Sequence, residues 1–235
     1  MVKIHKDSVY LDLLDHTSPE NSSKPSIDVM FEDRKDAGQK LGKELEKRRV
    51  RPDLVLAVPR GGLPLGREVA DYLDAPLDVV VARKIGAPKN PELAIGAVAS
   101  DGSYWLNENM INRQKIDDKV IEKGIKKEAE NARNKLELLR GTNQGPELEG
   151  KTVVVIDDGI ATGATMIGCL RQLKGSEAKK VIVAVPVGPE GITQKLEDEA
   201  DEIVVVETPS VFGSVGSHYR VFDQISDFEA KKYLD

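Results

Sequence analysis

The chain has 235 residues, of which 40% are hydrophobic and 31% are charged, and its formal net charge is -6. This length allows one large domain with a sizeable buried core, and the negative charge without a basic tract gives no indication of nucleic acid as a partner. The single cysteine, Cys169, excludes an intramolecular disulfide, and its apolar surroundings predict a buried side chain rather than a nucleophile.

The first 26 residues are predicted to form an N-terminal extension that ends in a polar loop, TSPENSSKPS. Its two histidines, His5 and His16, are assigned no role. The start of the chain is too charged for a signal peptide, and no apolar run reaches the length of a membrane span. We therefore expect a cytoplasmic protein that has no membrane partner.

Short apolar runs alternate with helical segments over residues 27–206. The first helix is predicted within FEDRKDAGQKLGKELEKRR, where Ala37, Leu41 and Leu45 share one face. Buried strands are predicted, in chain order, for DLVLAV, LDVVVAR, LAIGAVA, KTVVVID, KKVIVAVPV and DEIVVVE. Helices are predicted for LPLGREVADYL, for a charged insertion over residues 107–140, for ATMIGCLRQLK and for PEGITQKLEDEA. This alternation predicts an α/β fold in which helices flank a parallel sheet.

The stretch VVVIDDGIATGATM, residues 153–166, places two carboxylates and a loop of small residues at the end of a buried strand. Ligands bind at the carboxyl ends of the strands in parallel sheets. The loop and the helix after it supply backbone N–H groups and the positive end of a helix dipole, which together can bind a phosphate.

The two carboxylates, Asp157 and Asp158, would repel a phosphate. They are instead predicted to accept hydrogen bonds from sugar hydroxyls, or to hold magnesium or its waters. The ligand indicated is a phosphorylated sugar. A capped helix start with two solvated aspartates is the alternative, structural interpretation.

The stretch VVVIDDGIATGAT resembles the signature of the type I phosphoribosyltransferases, the loop that binds phosphoribosyl pyrophosphate (PRPP), and the likeness extends over roughly residues 29–225. The segments VMFEDRKDAGQKLGKEL and RKIGAPKNPELAIGAVASDG resemble a bacterial and archaeal branch of that family. The resemblance implies a type I phosphoribosyltransferase fold with a core over residues 27–206 and a C-terminal hood over residues 207–235.

The resemblance also implies roles for the residues of the motif. Asp157 and Asp158 are expected to meet the ribose hydroxyls and to hold Mg2+, through its waters. A loop is expected to wrap the 5-phosphate of PRPP, and it consists of Ala161, Thr162, Gly163, Ala164 and Thr165.

Two further segments match the family's pyrophosphate-binding parts. In AVPRGGLPLG, the turn formed by Arg60, Gly61 and Gly62 resembles the pyrophosphate-binding loop, and a non-proline cis peptide is expected at or next to Pro59–Arg60. In ARKIGAPKNPELAIG, two cations, Arg83 and Lys84, match the mobile loop that closes over the pyrophosphate. Lys89 is a third candidate cation in the same segment, and Glu92 is a candidate for ordering the loop.

The acceptor is expected to bind at the hood, where Phe212, Tyr219 and Phe222 could stack on a ring, although packing of the C-terminal segment onto the core is an equal alternative. Relatives that use 6-oxopurines commonly carry an aspartate where this chain has Ala161, which argues against hypoxanthine, guanine or xanthine. The resemblance therefore predicts a magnesium-dependent phosphoribosyltransferase that acts on a nitrogenous acceptor. The alternative is a non-catalytic regulatory protein that binds PRPP, and a homodimer is left open.

Overall fold

The computed structural model describes residues 27–234, so the extension over residues 1–26, with His5 and His16, lies outside the described residues. The strands are β1 (Leu54–Ala57), β2 (Leu77–Val79), β3 (Ala82–Ala87), β4 (Asn90–Ala99), β5 (Tyr104–Leu106), β6 (Thr152–Ile156), β7 (Lys180–Val187) and β8 (Glu202–Glu207). The helices are α1 (Arg34–Lys47), α2 (Gly62–Leu73), α3 (Glu108–Gln114), α4 (Asp118–Arg140), α5 (Ala164–Leu173), α6 (Ile192–Leu196) and α7 (Asp227–Lys231).

Five strands form a parallel sheet in the order β2-β1-β6-β7-β8, which confirms the predicted α/β architecture. β1 is buried along its whole length, and β6 is buried from Val153 to Ile156, as expected for strands that helices cover on both faces. Val55 pairs with Val154, which pairs in turn with Ile182. The carboxyl ends of β1 and β6 therefore lie side by side.

Helices cover both faces of the parallel sheet. α1 begins after Asp33, whose carboxylate accepts a hydrogen bond from the Asp36 N–H at 2.8 Å. Its predicted apolar face, Ala37, Leu41 and Leu45, is fully buried and packs with α2 on one face of the sheet. α5 packs on the opposite face, so each strand contributes alternate side chains to two separate cores.

The placement of LAIGAVA in the parallel sheet is wrong. Residues 93–99 belong to β4, which pairs with β3 and β5 in a separate antiparallel sheet of three strands. Only Pro88 and Lys89 separate β3 from β4, whereas a parallel pair needs a crossover of about a dozen residues or more. The predicted strand LDVVVAR is likewise divided, because its first part forms β2 and its last part begins β3.

The helices predicted within residues 107–140 are present as α3 and α4. α4 packs on β3, β4 and β2, and α7 packs on α4. Five apolar residues of α4 form its buried face: Ile121, Ala129, Ala132, Leu136 and Leu139. One part of α4 therefore packs on the antiparallel sheet, and the other packs at the β2 edge of the parallel sheet. Within residues 27–234, no helix is long and apolar enough to cross a membrane.

Candidate functional site

A cleft of about 570 Å³ opens at the carboxyl ends of β1 and β6, between the parallel sheet and the antiparallel sheet. Parallel sheets bind ligands at this edge. The cleft is lined by Pro59, Ala82, Arg83, Lys84, Glu92, Asp157, Gly159, Ile160, Ala161, Thr162, Gly163, Ala164, Thr165, Met166 and Val215. All five residues of the 161–165 loop therefore line the same cavity as the two predicted cations, Arg83 and Lys84.

The 161–165 loop leads directly from β6 into α5. Gly163 is the N-cap residue of α5 and has a φ of 79°, a left-handed conformation that glycine adopts without the strain of a side chain. The side chain of Ala164 is buried, whereas that of Thr162 is exposed toward the cleft. The first N–H groups of α5 have no partner within the helix, so the loop and the helix end form an anion-binding arrangement.

The two neighbouring aspartates are placed differently. Asp157 lines the cleft, and its Oδ1 accepts a hydrogen bond from the Asp158 N–H at 2.8 Å. Burial raises the pKa of Asp157, and the adjacent Asp158 carboxylate raises it further. Asp158 is not among the residues that line the cleft; its Oδ2 accepts a hydrogen bond from Arg34 Nε at 2.8 Å. Burial raises the pKa of Asp158 too, and the guanidinium of Arg34 opposes that rise.

The second glycine-rich turn, Arg60 with Gly61 and Gly62, packs directly against these acids. The Pro59–Arg60 peptide bond is cis, which confirms the expectation. A side chain at Gly61 would overlap the carboxylate of Asp158, and one at Gly62 would lie 2.8 Å from a backbone carbonyl oxygen of β6. Both positions therefore require glycine. Pro59 lines the cleft, while the guanidinium of Arg60 lies 3.8 Å from a carboxylate of α7.

Arg83 and Lys84 lie on β3, at the base of a hairpin, rather than in an irregular loop. Arg83 Nε lies 3.5 Å from Glu128 Oε2 of α4, and Lys84 Nζ donates a hydrogen bond to Glu92 Oε2 of β4 at 3.1 Å. The partner of Lys84 is weakly held, because 90% of the Glu92 side chain is exposed. The partner of Arg83 is less mobile, since only 16% of the Glu128 side chain is exposed, but 49% of the Arg83 side chain itself is open to solvent. Lys89 lies at the hairpin tip and does not line the cleft. Lys84 is therefore free to exchange its partner for an anion, and the exposed part of Arg83 is open to one.

The aromatic residues Phe212, Tyr219 and Phe222 do not line the cleft. Tyr219 is buried and its hydroxyl donates a hydrogen bond to the Asp158 carbonyl at 2.5 Å. The rings of Tyr219 and Phe222 lie 5.0 Å apart, and Phe222 carries the guanidinium of Arg34 on its face. These residues pack the C-terminal segment onto the core, and their role in acceptor binding stays a prediction. Val215 of the C-terminal segment lines the cleft.

Two cations at the site are missing from the sequence-based predictions. Lys195 on α6 donates a hydrogen bond from its amine to the Thr162 carbonyl, beside the 161–165 loop. Nothing in its local sequence distinguishes it from a surface lysine. Arg34 is the first residue of α1, where a helix dipole disfavours a positive charge. That conflict is a signal in the sequence, since it indicates that the charge serves a contact elsewhere.

The carboxylates of the cleft suit Mg2+ but cannot enclose it. Residues 27–234 contain no cluster of three or more side chains able to bind a metal ion. Magnesium is typically held by one or two carboxylates together with substrate phosphates and water, and Asp157 on the cleft wall supplies such a carboxylate. Cys169 is buried beneath the cleft in α5, as predicted, and burial raises the pKa of its thiol, so it supplies neither a ligand nor a nucleophile.

Known proteins are similar to this chain in sequence and in fold. Residues 32–220 match the family model described as "Phosphoribosyl transferase domain". A Mycobacterium tuberculosis (H37Rv) protein named "Putative phosphoribosyl transferase Rv0571c" is 40% identical over 206 residues, which are 88% of this chain and 46% of that protein. The same similarity holds for its counterpart in strain CDC 1551, so the chain spans about half the length of these curated relatives.

A solved structure, that of TT1426 from Thermus thermophilus, has a TM-score of 0.74 and 34% identity to this chain. The similarity covers 87% of this chain and 97% of that one. The family model spans the parallel sheet, the antiparallel hairpin and the cleft between them. On this evidence the chain belongs to the phosphoribosyl transferase domain family.

Proposed function

We propose that the chain transfers the 5-phosphoribosyl group of PRPP to a nitrogen atom of a small acceptor and releases pyrophosphate. One observation carries this proposal: a single cleft brings together an anion-binding loop, a carboxylate and two partly exposed cations. These are the three groups that a phosphate, a ribose and a departing pyrophosphate require.

The 161–165 loop binds the 5-phosphate in this proposal. The N–H groups at the start of α5 and the hydroxyls of Thr162 and Thr165 donate to the phosphate oxygens. The amine of Lys195, held at the Thr162 carbonyl, adds a positive charge beside the loop. The phosphate thereby fixes one end of the ligand on a rigid helix end.

The carboxylates act on the middle of the ligand. Asp157 and Asp158 supply the negative charge for the ribose hydroxyls, with Asp157 on the cleft wall. Bound Mg2+ would neutralise charge on the pyrophosphate, and Asp157 and Asp158 would hold it through its waters. The burial that raises the pKa of Asp157 is offset when a cation or a hydroxyl donor enters the cleft.

The cations act on the leaving group. The bond from the ribose C1 to the pyrophosphate oxygen breaks while a bond from C1 to the acceptor nitrogen forms. Negative charge then grows on the pyrophosphate, where Arg83, Lys84 and the turn at Arg60, Gly61 and Gly62 stabilise it. Closing of the β3–β4 hairpin excludes water, which would otherwise compete with the acceptor.

A cytoplasmic site of action remains part of the proposal, and the oligomeric state stays open. The acceptor is small and nitrogenous, and the neutral Ala161 in the cleft lacks the carboxylate that would serve a 6-oxopurine. Adenine-like, pyrimidine-like or less common rings are therefore preferred over hypoxanthine, guanine and xanthine.

The test is pyrophosphate release from PRPP and Mg2+ across a panel of bases. We expect release with at least one base outside the 6-oxopurines. Replacing Arg83 and Lys84 with Ala should lower kcat more than it raises KM, because the two cations act on charge that grows in the transition state. Lys47→Ala with Arg48→Ala, which removes two cations outside the cleft, is the matched control.

Three results would decide against parts of this proposal. PRPP binding without pyrophosphate release from any base would favour the non-catalytic PRPP-binding regulator. Efficient conversion of hypoxanthine, guanine or xanthine would show that another residue replaces the missing carboxylate at Ala161. An effect on KM alone in the double variant of Arg83 and Lys84 would limit these cations to substrate capture.

A further inference from the structure

Arg83 and Lys84 are neighbours on β3, but their side chains leave the strand on opposite faces. Successive side chains of a strand alternate between its two faces, and β3 is an edge strand of the antiparallel sheet. Ile85, on the same face as Arg83, is buried against the apolar side of α4. Both cations nevertheless line the cleft. The side chain of Arg83 therefore reaches the cleft over the edge of the sheet, from the face that α4 covers.

α4 lies close enough to β3 to contact Arg83. A Cβ atom at Gly124 would lie 3.0 Å from Ile85 Cγ2, so the helix and the strand approach each other closely at this point. Four residues further along α4, Glu128 Oε2 lies 3.5 Å from Arg83 Nε. Four residues of a helix advance about 6 Å, and two residues of a strand advance about 7 Å. The two contacts are therefore in register, with α4 antiparallel to β3.

Glu128 is the better fixed member of this ion pair. Only 16% of its side chain is exposed, against 49% of the Arg83 side chain. Its Oε2 also accepts a hydrogen bond from Asn131 Nδ2 at 3.1 Å. Lys127 lies 3.8 Å from the other carboxylate oxygen, but 74% of its side chain is exposed. The contact to Arg83 is made at Nε, beside the aliphatic part of the side chain, so the two terminal nitrogens of the guanidinium are left for an anion.

This ion pair affects the direction of the Arg83 side chain more than the stability of the fold. A partly buried ion pair gains little net stability, because both charges lose water. An arginine side chain has many rotamers, and a carboxylate fixed at Nε restricts which of them Arg83 can adopt. A side chain that is already in place loses less entropy when a ligand binds to it.

We infer that Glu128 is a positioning residue of the leaving-group site: it anchors the Arg83 side chain at Nε so that the terminal nitrogens meet the pyrophosphate. This inference rests on the proposed function, in which Arg83 stabilises the departing pyrophosphate. Glu128 acts through Arg83 and touches no part of the ligand. The insertion over residues 107–140 thereby contributes to the site through α4.

Affinity for pyrophosphate with Mg2+, measured by titration calorimetry, tests this role without an acceptor. Arg83→Ala should weaken binding about tenfold, the lower end of the range for a charged hydrogen bond, because solvent screens this side chain. Glu128→Gln should weaken it about three- to tenfold, which corresponds to the cost of immobilising one long side chain. Electrostatics alone predicts the opposite sign, because losing a negative charge near the site strengthens the binding of an anion.

Two comparisons separate positioning from a general structural effect. In an Arg83→Ala background, Glu128→Gln should change the affinity for pyrophosphate by less than about twofold, since the side chain that Glu128 positions is gone. Affinity for ribose 5-phosphate, which occupies the 161–165 loop, should be unchanged in every variant. The matched control is Glu130→Gln, which makes the same change at an exposed residue of α4 and should not weaken pyrophosphate binding.

The melting temperature of each variant shows whether it is folded. If Glu128→Gln does not fold, Glu128→Asp takes its place, because its carboxylate is one methylene group further from Arg83 and should also weaken pyrophosphate binding.

The results that overturn the inference differ from the result that refutes the proposed function. The inference is wrong if Glu128→Gln binds pyrophosphate as tightly as the wild type or more tightly. It is also wrong if the loss is the same in the Arg83→Ala background, or if affinity for ribose 5-phosphate falls equally. Wild-type protein that binds neither pyrophosphate nor ribose 5-phosphate would refute the proposed function, and the inference with it.

Discussion

A single lysine on α6 provides a test of the 161–165 loop at the scale of one residue. The amine of Lys195 lies at the Thr162 carbonyl, and burial lowers the pKa of Lys195 below that of an ordinary lysine. The charged form is the one that attracts a phosphate. Affinity for PRPP should therefore be full below this lowered pKa and should fall as the pH rises through it, earlier than an ordinary lysine would cause.

Lys195→Met should weaken PRPP binding several-fold near neutral pH and remove this alkaline loss. A charge-assisted hydrogen bond contributes about 1.5–3 kcal/mol, and solvent screening of this partly buried, partly exposed amine reduces that range. Calorimetric titrations between about pH 7 and pH 10 measure both effects, and Lys195→Arg, which stays charged across that range, is the control. If Lys195→Met still lost PRPP affinity at alkaline pH, that loss would come from the titration of another group.

The residues of the site differ in how well their sequence surroundings predict them. The 161–165 loop could be predicted because its small residues, its strand and its helix are contiguous. The aromatic residues could not be placed, because an exposed stacking platform and a buried packing contact need the same side chains: Tyr219 is 5% exposed and bonded to Asp158. The position of Arg34 at the start of a helix indicates that its charge serves a contact elsewhere. The sequence does not identify that contact, because its partner Asp158 lies 124 residues away.

At the scale of elements, the contact between α5 and the hairpin determines where Arg83 and Lys84 lie. A Cβ atom at Gly168 of α5 would lie 2.8 Å from the Ala97 Cβ and 2.9 Å from the Ala82 Cβ. Real Cβ atoms do not approach so closely, so the helix packs on two alanine side chains of the hairpin at a point that leaves no room for a side chain of its own. Ala82 directly precedes Arg83, and any shift of this contact moves the cations.

Gly168→Ala should therefore destabilise the protein by about 1–3 kcal/mol, the usual cost of overpacking. It should also lower kcat for pyrophosphate release, because the cations on β3 move away from the leaving group. Chemical denaturation and initial rates measure the two effects. Gly175→Ala is the matched control, since no atom lies within 4 Å of its added Cβ and its φ is not positive. If Gly168→Ala and Gly175→Ala had the same stability and the same kcat, the tight contact at Gly168 would be contradicted.

Most helices and strands could be predicted, but β5 and α7 were not, LDVVVAR is divided between β2 and β3, and LAIGAVA belongs to the other sheet. The apolar residues of α1 recur with the period of a helix. The continuous apolar runs of β1, β6 and β7 are typical of strands that helices cover on both faces. The strand LAIGAVA has the same apolar composition, yet it lies in an antiparallel sheet that α5 and α4 cover. The apolar composition of a strand indicates that both of its faces are buried. It does not indicate whether the neighbouring strand runs parallel or antiparallel to it.

At the scale of the whole molecule, the cleft depends on distant parts of the chain. Asp158 from β6 is held by Arg34 near one end of the described chain and by Tyr219 near the other. The cleft itself combines residues of the antiparallel hairpin, the 161–165 loop and Val215. No local pattern could predict this assembly, because it follows from the packing of α1 and the C-terminal segment on the same edge of the sheet.

Because these parts meet only in the folded chain, PRPP with Mg2+ should bind the native state alone and raise the melting temperature. At a ligand concentration about 100 times the Kd, the gain is about 2.7 kcal/mol. A domain of this size gains about 2–4 °C per kcal/mol, so a rise of roughly 5–10 °C is expected.

Thermal melts with and without EDTA separate the contributions within the cleft. The rise should fall sharply in EDTA, because Asp157 then faces the pyrophosphate without a cation between them. Ribose 5-phosphate, which occupies the 161–165 loop but has no pyrophosphate, should give a smaller rise that EDTA does not change. Asp157→Asn should lose most of the magnesium-dependent part and keep the rise with ribose 5-phosphate. A full rise with PRPP in EDTA would contradict the magnesium requirement, and no rise with either ligand would contradict the assignment of the cleft.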